Sequence, residues 1–224
     1  MSEAHPAFNP PATPVDVRPE ELAARLAAKL CHDFVSPAGA IVSGLDLLDD
    51  PTAKDMRDEA LQLIASSARK LTDLLAFARV AFGSAAGQDS FESGELERLT
   101  RSVFEHVRAE LDWAVPPQGA PKRAAVIILN LAQLAGAALP VGGVARIEMR
   151  AEAGAFQIDI RAQGPRARLH PEVASGLAGE PLGDGLAGRW VQAFYVQAVA
   201  RAGGGSVTAE AVEETVRFRA TAPA

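Results

Sequence analysis

Residues 19–49 read PEELAARLAAKLCHDFVSPAGAIVSGLDLLD. Apolar side chains at Leu22, Leu26, Leu30, Phe34, Pro37, Ile41, Leu45 and Leu48 recur at steps of three or four. That spacing places them along one side of an α-helix. Pro51 ends the run, because it cannot continue the hydrogen-bond ladder and disfavours helix at Asp50. Thr52 is expected to cap the next helix. There Ala60, Ile64, Leu71, Leu75, Ala78 and Phe82 form a second stripe, and GSAAGQDS (83–90) stops it. A helix of about 30 residues spans roughly 45 Å, so the two predict a long antiparallel hairpin. Two helices alone leave half of each stripe wet. The expected remedy is a second hairpin from another copy, a symmetric four-helix bundle. A monomer whose hairpin packs on its own C-terminal half is the other arrangement.

Beyond residue 90 the pattern changes. Residues 96–109 read as helix and 110–116 as a short strand stopped by Pro116-Pro117. The strongly apolar stretch 122–139 predicts a helix ended by Pro140 and Gly142-Gly143. Residues 144–152 and 155–163 alternate around Ala153-Gly154, a hairpin signal. A helix over 186–202 and a last hairpin around Glu213-Glu214 follow. Helices interleaved with antiparallel strands suggest a two-layer α/β sandwich. The expected organisation is a flexible tail (1–17), a helical hairpin (18–86) and a sandwich domain (87–224).

The bulk properties narrow the possibilities. At 224 residues the chain allows one or two compact units, and its 48% hydrophobic content fits a folded protein. No apolar run reaches the roughly 18–20 residues of a membrane span. The segment ahead of Arg18 carries Pro6, Pro10, Pro11 and Pro14 and no basic segment followed by an apolar one. It reads as a loose tail rather than a signal peptide. A formal charge of −6 without a basic cluster argues against nucleic acid as a partner. The four histidines are scattered and the lone cysteine, Cys31, excludes an internal disulfide. No metal site is expected, and the cytoplasm is the expected compartment. Cys31 itself is expected to be a small, at least half-buried hydrophobe.

Within the first helix, CHDFVSPAGAIVS (31–43) poses the chemical question. With each residue turning the helix by about 100°, His32, Ser36, Gly39 and Ser43 all fall on the side opposite the apolar line. The imidazole therefore points into water among small neighbours, where another macromolecule can reach it. Imidazole is a nitrogen nucleophile that can accept a phosphoryl group and pass it on. Asp33 is placed to orient the ring by accepting a proton from its other nitrogen. Pro37 leaves the Asp33 carbonyl without its usual donor. The exposed row Lys29, Ser36, Gly39 and Ser43 is the candidate docking surface, with Asp46 as an extension. Arg69 and Lys70 of SSARK (66–70) could contribute to it or form a plain wet face, and Arg161, Arg166 and Arg168 read more simply as a solvated loop.

His32, Asp33, Ser36 and Pro37 together resemble the phosphoacceptor box of sensor histidine kinases. The resemblance implies a dimeric hairpin followed by a histidine-kinase-like (Bergerat-type) α/β sandwich. The kinase nucleotide boxes are broken. Where kinases have two asparagines four apart and then a basic residue, this chain has Asn130, Leu134 and Ala137. Where they have the adenine-reading aspartate, it has Ala162, ahead of Gly164-Pro165 and Arg166. The segment GDGLAGRW (183–190) only echoes the glycine-rich lid. Phosphoryl transfer from ATP depends on metal neutralisation and positioning, which these changes remove.

A phosphoacceptor hairpin joined to a degenerate ATPase domain resembles the ChpT family of bacterial histidine phosphotransferases. That resemblance implies that His32 takes a phosphoryl group from the receiver domain of a hybrid kinase and gives it to receiver domains of response regulators. It implies no cofactor on this chain, with Mg²⁺ supplied by the receiver. The competing readings are an ATP-dependent kinase with a divergent site and a non-catalytic dimeric adaptor.

Overall fold

The computed structural model describes residues 17–83, 87–117, 119–183 and 185–223. The tail expected over 1–17 lies outside them except for its last residue. The first helix, α1 (Pro19–Asp49), runs unbroken through Pro37, which is buried. A turn and a short 3₁₀ segment at Lys54–Met56 lead into α2 (Arg57–Ala81). Thr52 does not cap α2, contrary to the sequence expectation. Its N–H and hydroxyl both bond Asp50 Oδ1, closing a side-chain turn, and the residue before α2 is Met56, which makes no side-chain cap.

The hairpin closes tightly because Gly44 has no side chain. A Cβ there would stand 2.6 Å from Ile64 Cγ1 and 3.1 Å from the Ala60 carbonyl oxygen. The apolar stripe of α1 then divides. Leu22 and Leu26 pack against Trp190, Val191 and Phe194 of the C-terminal half, whereas Leu45 stays exposed. Val35 and Val42 on α1, and Leu61 and Leu75 on α2, are exposed too. The hairpin therefore packs partly on its own chain and keeps an uncovered apolar face.

The second half contains β1 (Ser90–Phe91), α3 (Ser93–Phe104), β2 (Ala109–Ala114), β3 (Ala120–Pro121), α4 (Lys122–Ala137), β4 (Gly143–Glu152) and β5 (Ala155–Gln163). It continues with α5 (Pro171–Ala178), α6 (Ala187–Ala202), β6 (Ser206–Val212) and β7 (Thr215–Pro223). The main sheet has the order β2-β4-β5-β7-β6, and β1 pairs with β3 separately. The sheet is mixed rather than wholly antiparallel, because β2 runs parallel to β4. The helix expected to reach residue 109 ends at Phe104, and β2 begins at Ala109.

Strand alternation sorts the sheet into two faces. Ala145, Ile147, Met149, Ile158, Ile160, Val216 and Phe218 point inward and are buried. Arg146, Asp159, Arg161 and Arg217 point outward; across strands Arg146 pairs with Asp112 at 2.5 Å and Arg217 with both oxygens of Asp159, while Arg161 meets Asp159 along its own strand at 3.4 Å. The inward face is covered by α4, which is buried nearly all round because the sheet lies on one side and α2, α3 and α6 on the other.

Two features fasten the hairpin to the sandwich. Phe77, Val80 and Ala81 from the end of α2 join the sandwich core. Beside them, buried Asn130 donates to the carbonyl of Ala81 at 2.6 Å and to that of Val126 at 2.9 Å. Ala81 closes α2, so its carbonyl has no donor inside the helix. Gln192 of α6 donates in turn to Asn130 Oδ1 at 3.1 Å and to Gln133 Oε1 at 2.6 Å. Three amides thus tie α2, α4 and α6 together.

Candidate functional site

His32 lies midway along α1 with its side chain 90% exposed. Its Nδ1 faces Asp33 Oδ1 at 3.4 Å, a long contact that orients the ring and leaves Nε2 open to solvent. The other Asp33 oxygen, Oδ2, accepts from Lys29 Nζ at 2.5 Å. Lys29 is therefore not part of an exposed row. Its side chain is 11% exposed, held between Asp33 and the start of α6, where a Cβ on Gly188 would meet Lys29 Cγ at 3.9 Å. Ser36, Gly39, Ser43 and Asp46 are exposed as the helical period predicts. Around Gly39 a Cβ would find nothing within 4 Å, so this stretch of helix is open to an incoming surface. Cys31 is exposed as a free thiol rather than half-buried, since it lies on the uncovered side of α1.

The imidazole stands at the edge of a cleft of about 720 Å³ between hairpin and sandwich. Arg25, Lys29, Asp33 and Ser36 of α1 form one side, with Lys70 and Leu74 of α2. Opposite are Val103, Phe104, His106 and Val107 at the end of α3, Gln133, Leu134, Gly136 and Ala137 of α4, and Leu186, Gly188, Arg189 and Gln192 at the start of α6. His106 Nε2 meets Asp73 Oδ2 at 3.0 Å and links the α3 end to α2. Lys70 is half-buried in the cleft and has no ion-pair partner among the described residues, whereas Arg69 is exposed and does not line it.

The α6 side is braced from α5. Glu172 Oε1 accepts from the Leu186 N–H at 3.3 Å, and the Glu172 carboxyl is held below the ordinary range by backbone hydrogen bonds, its own and that of Leu186. Arg189 Nη1 donates to His170 Nδ1 at 3.1 Å. Burial pushes the His170 imidazole below its usual value, and the charges of Arg189 and Arg168 push it further. The ring is accordingly neutral, with Nδ1 as acceptor. Arg166, in the loop read as solvated, is exposed with φ of +60°.

His32, Ser36, Gly39 and Ser43 stand exposed on α1 with Asp33 half-buried beside them, but the opposite wall was not expected from the sequence. Leu186, Arg189, His106 and Val107 arrive from segments far along the chain from His32, and no local pattern announces them. Of the positions compared with the kinase boxes, Asn130 is spent on the amide cluster and Leu134 and Ala162 are buried, whereas Ala137 and Arg166 are exposed. Among the described residues no three His, Cys, Asp or Glu side chains are grouped to hold a metal ion, and no helix is long and apolar enough to cross a membrane.

Residues 93–215 match the family described as the histidine phosphotransferase C-terminal domain. The chain belongs to that family. It is 30% identical to the protein phosphotransferase ChpT of Brucella abortus (strain 2308), over 92% of this chain and 98% of that one. The 1.7 Å structure of a bacterial phosphotransferase superposes with a TM-score of 0.82 at 28% identity, covering 92% of this chain and 98% of its own. The catalytic domain of the histidine kinase ThkA gives 0.46 at 18% identity over 60% of this chain and 93% of that domain. The likeness to ChpT extends over hairpin and sandwich alike, since that alignment spans nearly the full length of both proteins.

Proposed function

We propose that the chain is a relay in a phosphoryl-transfer pathway, with His32 as the acceptor. His32 Nε2 attacks the phosphorus of an aspartyl phosphate on the receiver domain of a hybrid kinase. The P–N bond forms as the P–O bond to the carboxyl breaks, and the carboxylate leaves with the electron pair. The ring keeps its Nδ1 proton and gains positive character, which the Asp33 carboxylate stabilises. The reverse step hands the group to the aspartate of a response regulator's receiver domain. Mg²⁺ for this chemistry belongs to the receiver.

The observation that carries the reading is the 90% exposed imidazole set against Asp33 on a hairpin whose neighbouring residues are small. ATP and its metal do not fit the residues of the sandwich. A leucine stands where the kinases hold Mg²⁺, an alanine stands where they read adenine, and the remaining asparagine is engaged in the amide cluster. This supports a relay over an ATP-dependent kinase.

The reading includes a homodimer. Val35, Val42 and Leu45 on α1, with Leu61 and Leu75 on α2, expose an apolar face that a second hairpin would bury. It also includes a cytoplasmic setting, with which the exposed Cys31 thiol accords.

The test is transfer of label from a phosphorylated receiver domain to wild-type and His32→Ala proteins. The wild type is expected to acquire an acid-labile, base-stable phosphate and His32→Ala none, with no labelling of either from ATP alone. Undiminished transfer to His32→Ala ends the proposal.

A further inference from the structure

Helix α2 brings a cation to the cleft edge where His32 stands, and no acid among the described residues neutralises it. Gly44 of α1 sits against Ala60 and Ile64 of α2, and the two helices run antiparallel. Moving back along α1 from Gly44 to Ser36 therefore moves forward along α2 to residues 68–72. Lys70 lies in that turn, opposite Ser36, which follows His32 by about one helical turn. All three side chains line the same cleft. The Lys70 ammonium rides on a flexible four-carbon stem, so it can follow a group that arrives at the ring.

The other cations lining the cleft are already engaged. Arg25 bonds Glu21 and lies over the Trp190 ring, Lys29 bonds Asp33, and Arg189 bonds His170. Lys70 is half-buried and has no such partner among the described residues. An ammonium held so has given up part of its hydration, a cost that an arriving anion offsets. The one acid lining the cleft, Asp33, is occupied by Lys29.

Resting on the relay reading above, we propose that Lys70 is a catalytic group of the transfer, its ammonium holding a non-bridging oxygen of the phosphoryl group while that group is exchanged at His32 Nε2. Charge is the reason such a group is needed. The phosphoryl in flight spreads its negative charge over three oxygens. The positive character gained by the ring offsets part of it, but the Asp33 carboxylate beside the ring restores a negative charge. A cation fixed on the neighbouring helix stabilises the charge where it develops. The bond changes are those of the relay: the P–N bond forms as the P–O bond to the receiver carboxyl breaks. Lys70 gives and takes no proton and stays an ammonium throughout.

The test uses the full-length chain with Lys70→Gln, Lys70→Arg and, as a control, Arg69→Gln, which removes a neighbouring charge that does not line the cleft. All three are expected to melt within about 2 °C of wild type. Phosphoramidate is the first donor, because it is small, needs no docking surface and labels His32 directly as ammonia leaves. Lys70→Gln is expected to slow this labelling at least about tenfold, Lys70→Arg to restore it to within about threefold of wild type, and Arg69→Gln to leave it unchanged. Purified phosphorylated receiver domains of the same organism are the second donor. With them Lys70→Gln is expected to lower the maximal rate by a similar factor, with the half-saturating receiver concentration within about twofold of wild type. Normal phosphoramidate labelling of Lys70→Gln overturns the inference, and a raised half-saturating concentration beside it would assign Lys70 to partner docking. Equal slowing by Arg69→Gln overturns it as well, since net charge would then be the cause. Both results leave the relay standing. Failure of phosphoramidate and receivers alike to label wild-type His32 overturns the relay itself, and this inference with it.

Discussion

Lys29 Nζ lies 2.5 Å from Asp33 Oδ2, one helical turn away, and so fixes the carboxylate whose other oxygen faces His32 at 3.4 Å. The pair is of the i,i+4 kind that is worth little on an open helix surface. Here the lysine is enclosed by α6, and its effect is geometric: it sets the direction from which Asp33 meets the ring. Lys29→Met is therefore expected to slow phosphoryl transfer to His32 about three- to tenfold, and Asp33→Asn about tenfold or more, where tenfold corresponds to about 1.4 kcal/mol. Single-turnover transfer from a phosphorylated receiver measures both, and equal rates for Lys29→Met and wild type would remove Lys29 from the positioning of the ring.

Gly44 and Gly39, five positions apart on α1, are expected to respond oppositely to alanine. At Gly44 the new methyl meets Ile64 and the Ala60 carbonyl, so Gly44→Ala should cost about 1–3 kcal/mol despite the better helix propensity of alanine. At Gly39 nothing stands in the way, and Gly39→Ala should add about 0.5–1 kcal/mol. Urea denaturation of the two variants checks the signs. A transfer defect in the more stable Gly39→Ala protein would mark that position as one a partner must approach closely.

The exposed apolar face gives a test of assembly. Val42→Lys combined with Leu61→Lys places like charges on both helices of the face while leaving the Gly44 contact alone. Sedimentation is expected to move from dimer to monomer, with the helical content by circular dichroism retained. A double variant that sediments like the wild type would show that this face is not where copies meet.

His170 makes stability depend on pH in a definite direction. Burial and the neighbouring arginines hold its folded-state pKa below the ordinary 6.5. The unfolded chain consequently binds more protons in that window, so the stabilisation is complete above about pH 6.5 and is lost as pH falls through the folded value. His170→Gln, which keeps an acceptor for Arg189, should flatten the decline in melting temperature as pH falls below about 6.5. An equally steep decline in the variant would assign the effect to other groups.

The bounds of α1 were readable from the sequence because a long period and a proline just past its end leave little alternative, and the angular position of His32 followed from the same period. The pairing of β2 with β4 was not readable. Parallel and antiparallel neighbours are distinguished by connections through space, and β3 and α4 both intervene before β4 starts. Helix α5 escaped for a different reason: with eight residues and two glycines in or beside it, its apolar pattern is too short to stand out. Lys29 was misplaced because a helical wheel shows only the helix's own faces. Its burial comes from α6, near the other end of the chain. The same limit hid the cleft, whose walls come from five helices.

The amide cluster around Asn130 bears on timing. An enzyme that draws a phosphoryl group from a nucleotide in one domain and places it on a histidine in another has to swing the two together, and the swing can be throttled by a signal. Here Asn130, Gln133 and Gln192 bond the end of α2 to α4 and α6 across that joint. On the proposed relay reading no such swing is needed, and the tempo of its traffic is set by which callers arrive, how many there are and how heavily each is loaded.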